Sequence, residues 1–213
     1  MKLVILGANG RTGRLVLRRA LDEGAEVTAV VRSVAKWPRE TDPRLSVVIG
    51  DPCDARFLRK VLHGQDAVIS TLGGRSPTRK AASVYPDSAE AIAEAAWDAG
   101  VRKVAVTSTA LLFPARGLAD RILGLIAWPV VLAARKMERT LFSTGLDVVV
   151  ARCGFLTDAE TSVYRAKHDA LPEKGRSVTR KALAHFLVDS VCRGWAGHDV
   201  VGVSGPISRR AAP

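Results

Sequence analysis

The chain has 213 residues, 47% of them hydrophobic and 25% charged; this is a folded globular composition, long enough for one well-buried α/β core and short for two. The formal net charge of +11 comes from Lys and Arg scattered from Lys2 to Arg210 without aromatic interleaving, so no nucleic-acid partner is expected and the basic surface is read as solvated, with a share in attracting anionic cofactors. Cys53, Cys153 and Cys192 lack metal-type spacing, no basic and apolar leader opens the chain, and the longest apolar segment, residues 122–134, is interrupted by Pro129; the expectation is a cytoplasmic protein with reduced thiols, no metal site and no membrane span.

Leu3-Val4-Ile5-Leu6 is an apolar run that reads as a buried parallel strand. Gly7-Ala8-Asn9-Gly10-Arg11-Thr12-Gly13 follows at once, and the apolar residues after Gly13 have helical spacing. A strand, a glycine turn and a helix in direct succession suit a pyrophosphate, because glycines let the backbone approach its oxygens and the first helical turn aims free N–H groups at them. Gly7, Asn9, Gly10, Arg11, Thr12 and Gly13 are therefore candidate cofactor contacts. The Gly-x-x-Gly-x-x-Gly spacing resembles the atypical, NmrA-like branch of the short-chain dehydrogenase/reductase superfamily. That resemblance implies an α/β fold with a Rossmann-like, doubly wound parallel sheet. One NAD(P)-binding domain over residues 1–207 is expected, with a frayed tail at 208–213.

Residues 26–31 read as a second buried strand that completes a βαβ unit, and Arg32-Ser33 follows it. NAD-binding proteins place an acidic residue there, about 20 residues past the glycine turn, for the ribose hydroxyl. An arginine there pairs instead with a 2′-phosphate, so NADP(H) is expected over NAD(H), held by Arg32 and Ser33. Residues 45–49 form a third strand that delivers Gly50-Asp51-Pro52 to the same edge. The resemblance implies that Asp51, with Pro52 beside it, contacts the adenine; a turn role for Asp51 is the alternative. Asp54 reads as an N-cap for a helix bearing Phe57, Leu58, Val61 and Leu62, which ends at His63-Gly64. Residues 66–71 are a fourth strand running into Leu72-Gly73-Gly74-Arg75. By resemblance, Thr71, Leu72 and Gly73 pass beneath the cofactor ribose and nicotinamide. Arg75 is either an anion contact or a loop residue.

A helix is expected over residues 83–99, stopped by Gly100, and a fifth strand over 103–109 with a hydroxyl-bearing end. Thr107 falls on the cofactor side, and Ser108 is where the superfamily keeps its active-site serine. Residues 110–116, with Phe113, and the helix carrying Leu125, Ile126 and Trp128 would form an apolar wall beside the nicotinamide. A sixth strand spans 146–150, and Arg152-Cys153-Gly154-Phe155 follows where relatives carry Arg-Pro-Gly and pocket-floor residues. Phe113, Cys153 and Phe155 are thus the expected substrate pocket. Residues 157–175 have little apolar periodicity and read as a loop over the site, a candidate lid. A helix opens at Thr179, in which His185 reads as a packing residue, and residues 200–203 are a short last strand.

Over nearly the whole length the chain is most similar to the biliverdin reductase B and flavin reductase (NADPH) type of this group. The matching stretches are the glycine turn, Val31-Arg32, Gly50-Asp51, residues 64–69, Thr107-Ser108, Gly145-Leu146 and Ala184-His185-Phe186. Typical short-chain reductases carry a Tyr and a Lys four residues apart on the helix after the serine, so that the phenol protonates a substrate carbonyl. Counting back from Gly145, those positions are Val130 and Ala134, which donate no proton; Tyr164 and Lys167 lie in the later loop. A conjugated acceptor, such as a flavin, quinone or tetrapyrrole, accepts hydride with less help. The expected function is an NADPH-dependent oxidoreductase of the flavin-reductase type with a small-molecule electron acceptor, a flavin being one candidate substrate. Phe155 stands where mammalian-type relatives carry a histidine, which weakens any transfer of their tetrapyrrole specificity. The alternative is a non-catalytic NADP(H)-binding redox sensor, distinguished by a filled space beside Ser108; an epimerase is disfavoured by the missing acid/base pair.

Overall fold

The computed structural model describes residues 1–35, 37, 41–74, 76–193 and 197–207; Arg75 and the expected tail at 208–213 lie outside them. The first strand, β1 (Lys2–Leu6), is buried from Leu3 onward. Its side chains alternate, so Leu3 and Ile5 enter one core layer while Val4 and Leu6 enter the other. Behind it come α1 (Arg11–Asp22), β2 (Glu26–Val31), β3 (Leu45–Ile49), α2 (Ala55–Leu62), β4 (Ala67–Ser70), the single turn α3 (Arg79–Ala82) and α4 (Val84–Ala99). The second half contains β5 (Lys103–Thr109), α5 (Leu118–Ile126), α6 (Trp128–Phe142), β6 (Asp147–Cys153), β7 (Phe155–Thr157), β8 (Arg165–His168), β9 (Ser177–Thr179), α7 (Arg180–Cys192) and β10 (His198–Ser204).

Eight strands form one sheet in the order β3-β2-β1-β4-β5-β6-β10-β8, and β7 pairs with β9 separately. Every pairing in the large sheet is parallel except that of β8 with β10. On one face α1 and α7 pack side by side, with Val16, Leu17 and Leu21 against Leu183, Leu187 and Val191. On the other face α2, α4 and α6 cover the sheet through Leu58, Ile92, Ala96, Met137 and Leu141. The chain is therefore one Rossmann-like α/β unit, with the strand order reversing direction between β1 and β4.

Local chemistry sets the ends of these elements. The carboxylate of Asp54 accepts from the N–H groups of Arg56 and Phe57 and caps α2. Thr179 caps α7 through the N–H of Ala182, and Gly100 ends α4 in the left-handed region at φ 78°. Pro129 lies in the first turn of α6, where its missing N–H costs nothing, and the apolar run accordingly splits into α5 and α6. No helix among the described residues is long and apolar enough to cross a membrane.

Residues 157–175 depart from the expected loop. They contain β8, which pairs antiparallel with β10 from Arg165↔Ser204 to His168↔Val201. The Arg165 guanidinium donates to the carbonyls of Gly205 and Glu173, and Thr179 Oγ1 donates to the carbonyl of Thr161. The segment is an anchored edge of the sheet, and its charged sequence is what an exposed edge strand carries.

Candidate functional site

The turn between β1 and α1 is built around two glycines with different tasks. Gly7 has φ +80°, and a Cβ there would meet Thr71 Oγ1 at 2.9 Å. At Gly13 a Cβ would fall 2.1 Å from the carbonyl oxygen of Gly7. The first turn of α1 thus rests directly on the backbone of the β1 turn, a spacing that only glycine allows. No side chain caps α1 at Gly10, and its first turn carries no acidic residue. Its N-terminal N–H groups and positive dipole end are left for an anion.

This turn forms the floor of a cleft of about 420 Å³. Gly7, Asn9, Gly10 and Arg14 line it from the turn; Val30, Val31, Arg32, Ser33 and Ala35 from the end of β2; Pro52 from the end of β3; and Thr71, Leu72 and Gly73 from the end of β4. These are the carboxyl ends of adjacent parallel strands where the strand order reverses, the position at which open α/β sheets bind ligands. Among the described residues, the charged ones in the lining are Arg14 and Arg32, and none is a carboxylate. Arg14 donates to the Asn9 side chain at 2.6 Å, while Arg32 has no ion-pair partner among the described residues. The cleft is electropositive, and its backbone floor and two guanidinium groups fit a dinucleotide phosphate chain.

The structure separates the remaining candidates from this lining. Arg11 forms an ion pair with Asp158, whose other oxygen accepts from Arg180 at 2.7 Å, tying the start of α1 to that of α7. Thr12 and Gly13 belong to the first turn of α1 below the cleft. The Asp51 carboxylate accepts from the N–H of Cys53 at 2.9 Å, and so closes the turn after β3. Thr107 is half-buried on β5. Ser108 is 5% exposed, and its hydroxyl donates to Glu138 Oε1 at 2.6 Å.

Glu138 is the residue that sequence reading passed over. It sits on the inner face of α6 at 4% exposure and accepts three hydrogen bonds, one from Ser108 and two from Arg152 at 3.0 and 2.5 Å. A signal was present: Val131, Ala134, Glu138 and Leu141 share one helical face, so a lone carboxylate lies in an apolar row. The Arg152 guanidinium also lies over the Phe113 ring, 4.8 Å from its centroid. Cys153 is buried, its thiol directed at the Ser108 carbonyl, and burial pushes its pKa up to about 12. Phe155 is 63% exposed. Ser108, Phe113, Cys153 and Phe155 are all absent from the cleft lining. Tyr164 donates its hydroxyl to Asp189 at 3.0 Å, and Lys167 lies on β8, so these two make no site together.

Known proteins match this arrangement. The NAD(P)H-binding family matches residues 7–193, nearly the whole described fold. The chain belongs to the NAD(P)H-binding family. Within reach of that assignment, the chain is 26% identical over 200 residues to the UPF0659 protein YMR090W of Saccharomyces cerevisiae, covering 90% of this chain and 87% of the yeast protein. A stretch of 104 residues, 48% of this chain, is 34% identical to the photosystem II assembly factor Ycf39 of Guillardia theta, but covers only 33% of that protein. Among solved structures, SP1627 of Streptococcus pneumoniae, proposed to be an NADH-flavin reductase, superposes with a TM-score of 0.77 at 22% identity, covering 97% of this chain and all of the other. A wide-type short-chain dehydrogenase/reductase from Veillonella parvula, solved with NADP, gives 0.76 at 18% identity, covering all of this chain and 98% of the other. These structural likenesses establish the Rossmann-like fold, and the family assignment makes this an NAD(P)H-binding protein.

Proposed function

We propose that the protein is an NADPH-dependent oxidoreductase of the flavin-reductase type, which delivers hydride to a conjugated acceptor. The observation that carries the cofactor half is Arg32, which has no ion-pair partner among the described residues and lies at the end of β2 in a cleft whose described lining residues include no carboxylate. A 2′-phosphate suits that guanidinium, whereas the ribose diol of NADH would find no acceptor carboxylate there. Gly7, Gly10 and the first N–H groups of α1 would hold the pyrophosphate, with Gly13 letting α1 sit close beneath them, and Thr71, Leu72 and Gly73 would support the ribose and nicotinamide. When bound, the cofactor supplies the hydride.

The acceptor half rests on what the protein does not offer. Val130 stands where a proton-donating phenol is usual, and Ala134 is fully buried in the core. The single proton of Ser108 is committed to Glu138, so this hydroxyl presents only lone pairs elsewhere and cannot protonate a developing alkoxide. An acceptor that spreads the incoming charge over a conjugated ring removes the need for such a donor. The protein's task is then positioning. The flavin-reductase part of the name proposed for SP1627 supports this acceptor half, although that name gives NADH as the cofactor.

A second reading is a non-catalytic NADP(H) sensor, favoured by the burial of Ser108. A single-turnover experiment separates them: equimolar NADPH is bound, followed by nicotinamide fluorescence, and excess FMN or a quinone is added anaerobically. Oxidation faster than in a protein-free control is the expected result. Tight binding without acceleration would establish the sensor, and no binding would remove both readings.

A further inference from the structure

Helix α5 has no buried residue. Its apolar side chains Leu118, Ile122, Leu125 and Ile126 recur at helical spacing on one face, and Leu118 and Leu125 are 72% and 73% exposed. Exposed Trp128 and Leu132 extend this face onto the outer side of α6. A nine-residue helix with an uncovered apolar stripe gains nothing from the core of its own chain.

The charges around the stripe indicate what covers it. Arg121 flanks the stripe on α5. Along the outer face of α6, the row that begins with Trp128 and Leu132 continues as Arg135 and Arg139. All three arginines are exposed and have no ion-pair partner among the described residues. The acidic residues of the two helices are turned away: Asp120 accepts from the N–H of Arg116 on the far side of α5, and Glu138 is buried. On these two helices the apolar ridge is thus flanked by arginines alone, on a chain of net charge +11.

We infer that α5 and the first turns of α6 dock onto an anionic lipid surface, with the apolar stripe at the acyl boundary, Trp128 at headgroup level and Arg121, Arg135 and Arg139 among the phosphates. An amphipathic helix lies in the plane of the interface when its apolar face is flanked by arginines, and anionic lipid supplies the complementary charge. A second copy of this chain fits poorly, since a two-fold contact through the ridge would set the same arginine margins of two +11 molecules against each other. Because α5 follows the carboxyl end of β5, docking presents the ligand-binding edge of the sheet to the membrane. The inference stands on this surface alone and does not depend on the redox reading.

The test is co-sedimentation of the full chain, without nicotinamide cofactor, with vesicles of phosphatidylcholine containing phosphatidylglycerol and with vesicles of phosphatidylcholine alone. Binding to the anionic vesicles only is expected. Leu125→Glu combined with Ile126→Glu should weaken it at least about tenfold, since both side chains are solvent-exposed and the change removes apolar contact with lipid. Arg135→Glu with Arg139→Glu should weaken it as well, and circular dichroism should show both variants folded. Absence of binding to the anionic vesicles would overturn the inference. So would binding that survives the Leu125/Ile126 change, which would reduce the effect to net charge. Self-association without lipid that the same change abolishes would assign the ridge to a second copy.

Discussion

Replacing Glu138 by alanine should be the most destabilising single change at the carboxyl edge. The Glu138 side chain is 5% exposed and that of Arg152 16%, so the guanidinium would remain largely out of water with no partner. The Ser108 hydroxyl would lose its acceptor in the same step. Breaking a buried ion pair by removing one member costs about 3–5 kcal/mol, chiefly because the other charge is left uncompensated. Taking 4 kcal/mol and about 2–4 °C per kcal/mol for a chain of this size, Tm should fall by about 8–16 °C. Urea unfolding at constant pH measures the loss, and the double variant Glu138→Leu with Arg152→Met isolates its cause. The pair desolvates two charges to gain one attraction, so the double variant should recover most of the stability lost in Glu138→Ala. A loss under about 1 kcal/mol for Glu138→Ala, or a double variant as unstable as the summed single changes, would refute this account of the cluster.

Arg32→Asp should lower NADPH affinity roughly 10- to 100-fold, the worth of a charge-assisted phosphate contact, with little loss for NADH; an unchanged preference in fluorescence titrations would remove Arg32 from the cofactor site. Gly13→Ala forces a methyl group to within 2.1 Å of the Gly7 carbonyl oxygen, so α1 must shift; a stability loss of about 1–3 kcal/mol is expected together with weaker dinucleotide binding, measured by urea unfolding and by the same titration. In thiol labelling at pH 8, exposed Cys192 should react first. Burial and nearby carboxylates push Cys53 up to about 11, and Cys153, at about 12, should stay silent until the protein unfolds. Burial lowers the pKa of His185 below the ordinary 6.5. The unfolded chain therefore takes up the proton first, and stability should decline as pH falls through about 6.5 and level off below the folded value; His185→Gln should flatten that slope in urea titrations between pH 7 and 5.

The elements that could be read from sequence are those whose environment is uniform along their length. Strands β1, β2 and β4 are covered on both faces, so each is a run of apolar residues, and the turn after β1 announces itself because close backbone approach leaves glycine no substitute. By contrast, β8 is the polar sequence Arg165-Ala166-Lys167-His168, whose strand character comes only from pairing with β10. Strands β7 and β9 have three residues each, too few to display a period. The site divides in the same way. Arg32 follows from its distance beyond the glycine turn, whereas the engagement of Ser108 depends on Glu138 30 residues away, and that of Glu138 on Arg152 14 residues further on. Local pattern shows an odd carboxylate on α6; only the packing of α6 against β5 and β6 reveals its partners.

Every described residue that lines the cleft comes from between Gly7 and Gly73, the first third of the chain. Ser108, Glu138, Arg152 and the exposed ridge of α5 all come later. The molecule is thus modular along its length, with one segment dedicated to a constant phosphate-rich ligand and another free to diversify. A variant library restricted to the exposed positions of residues 118–126 would leave the described lining residues of the cleft unchanged. The two stretches nonetheless share one sheet, since β4 hydrogen-bonds to β5 and the cores on both faces of β1 and β4 draw on residues beyond Lys103.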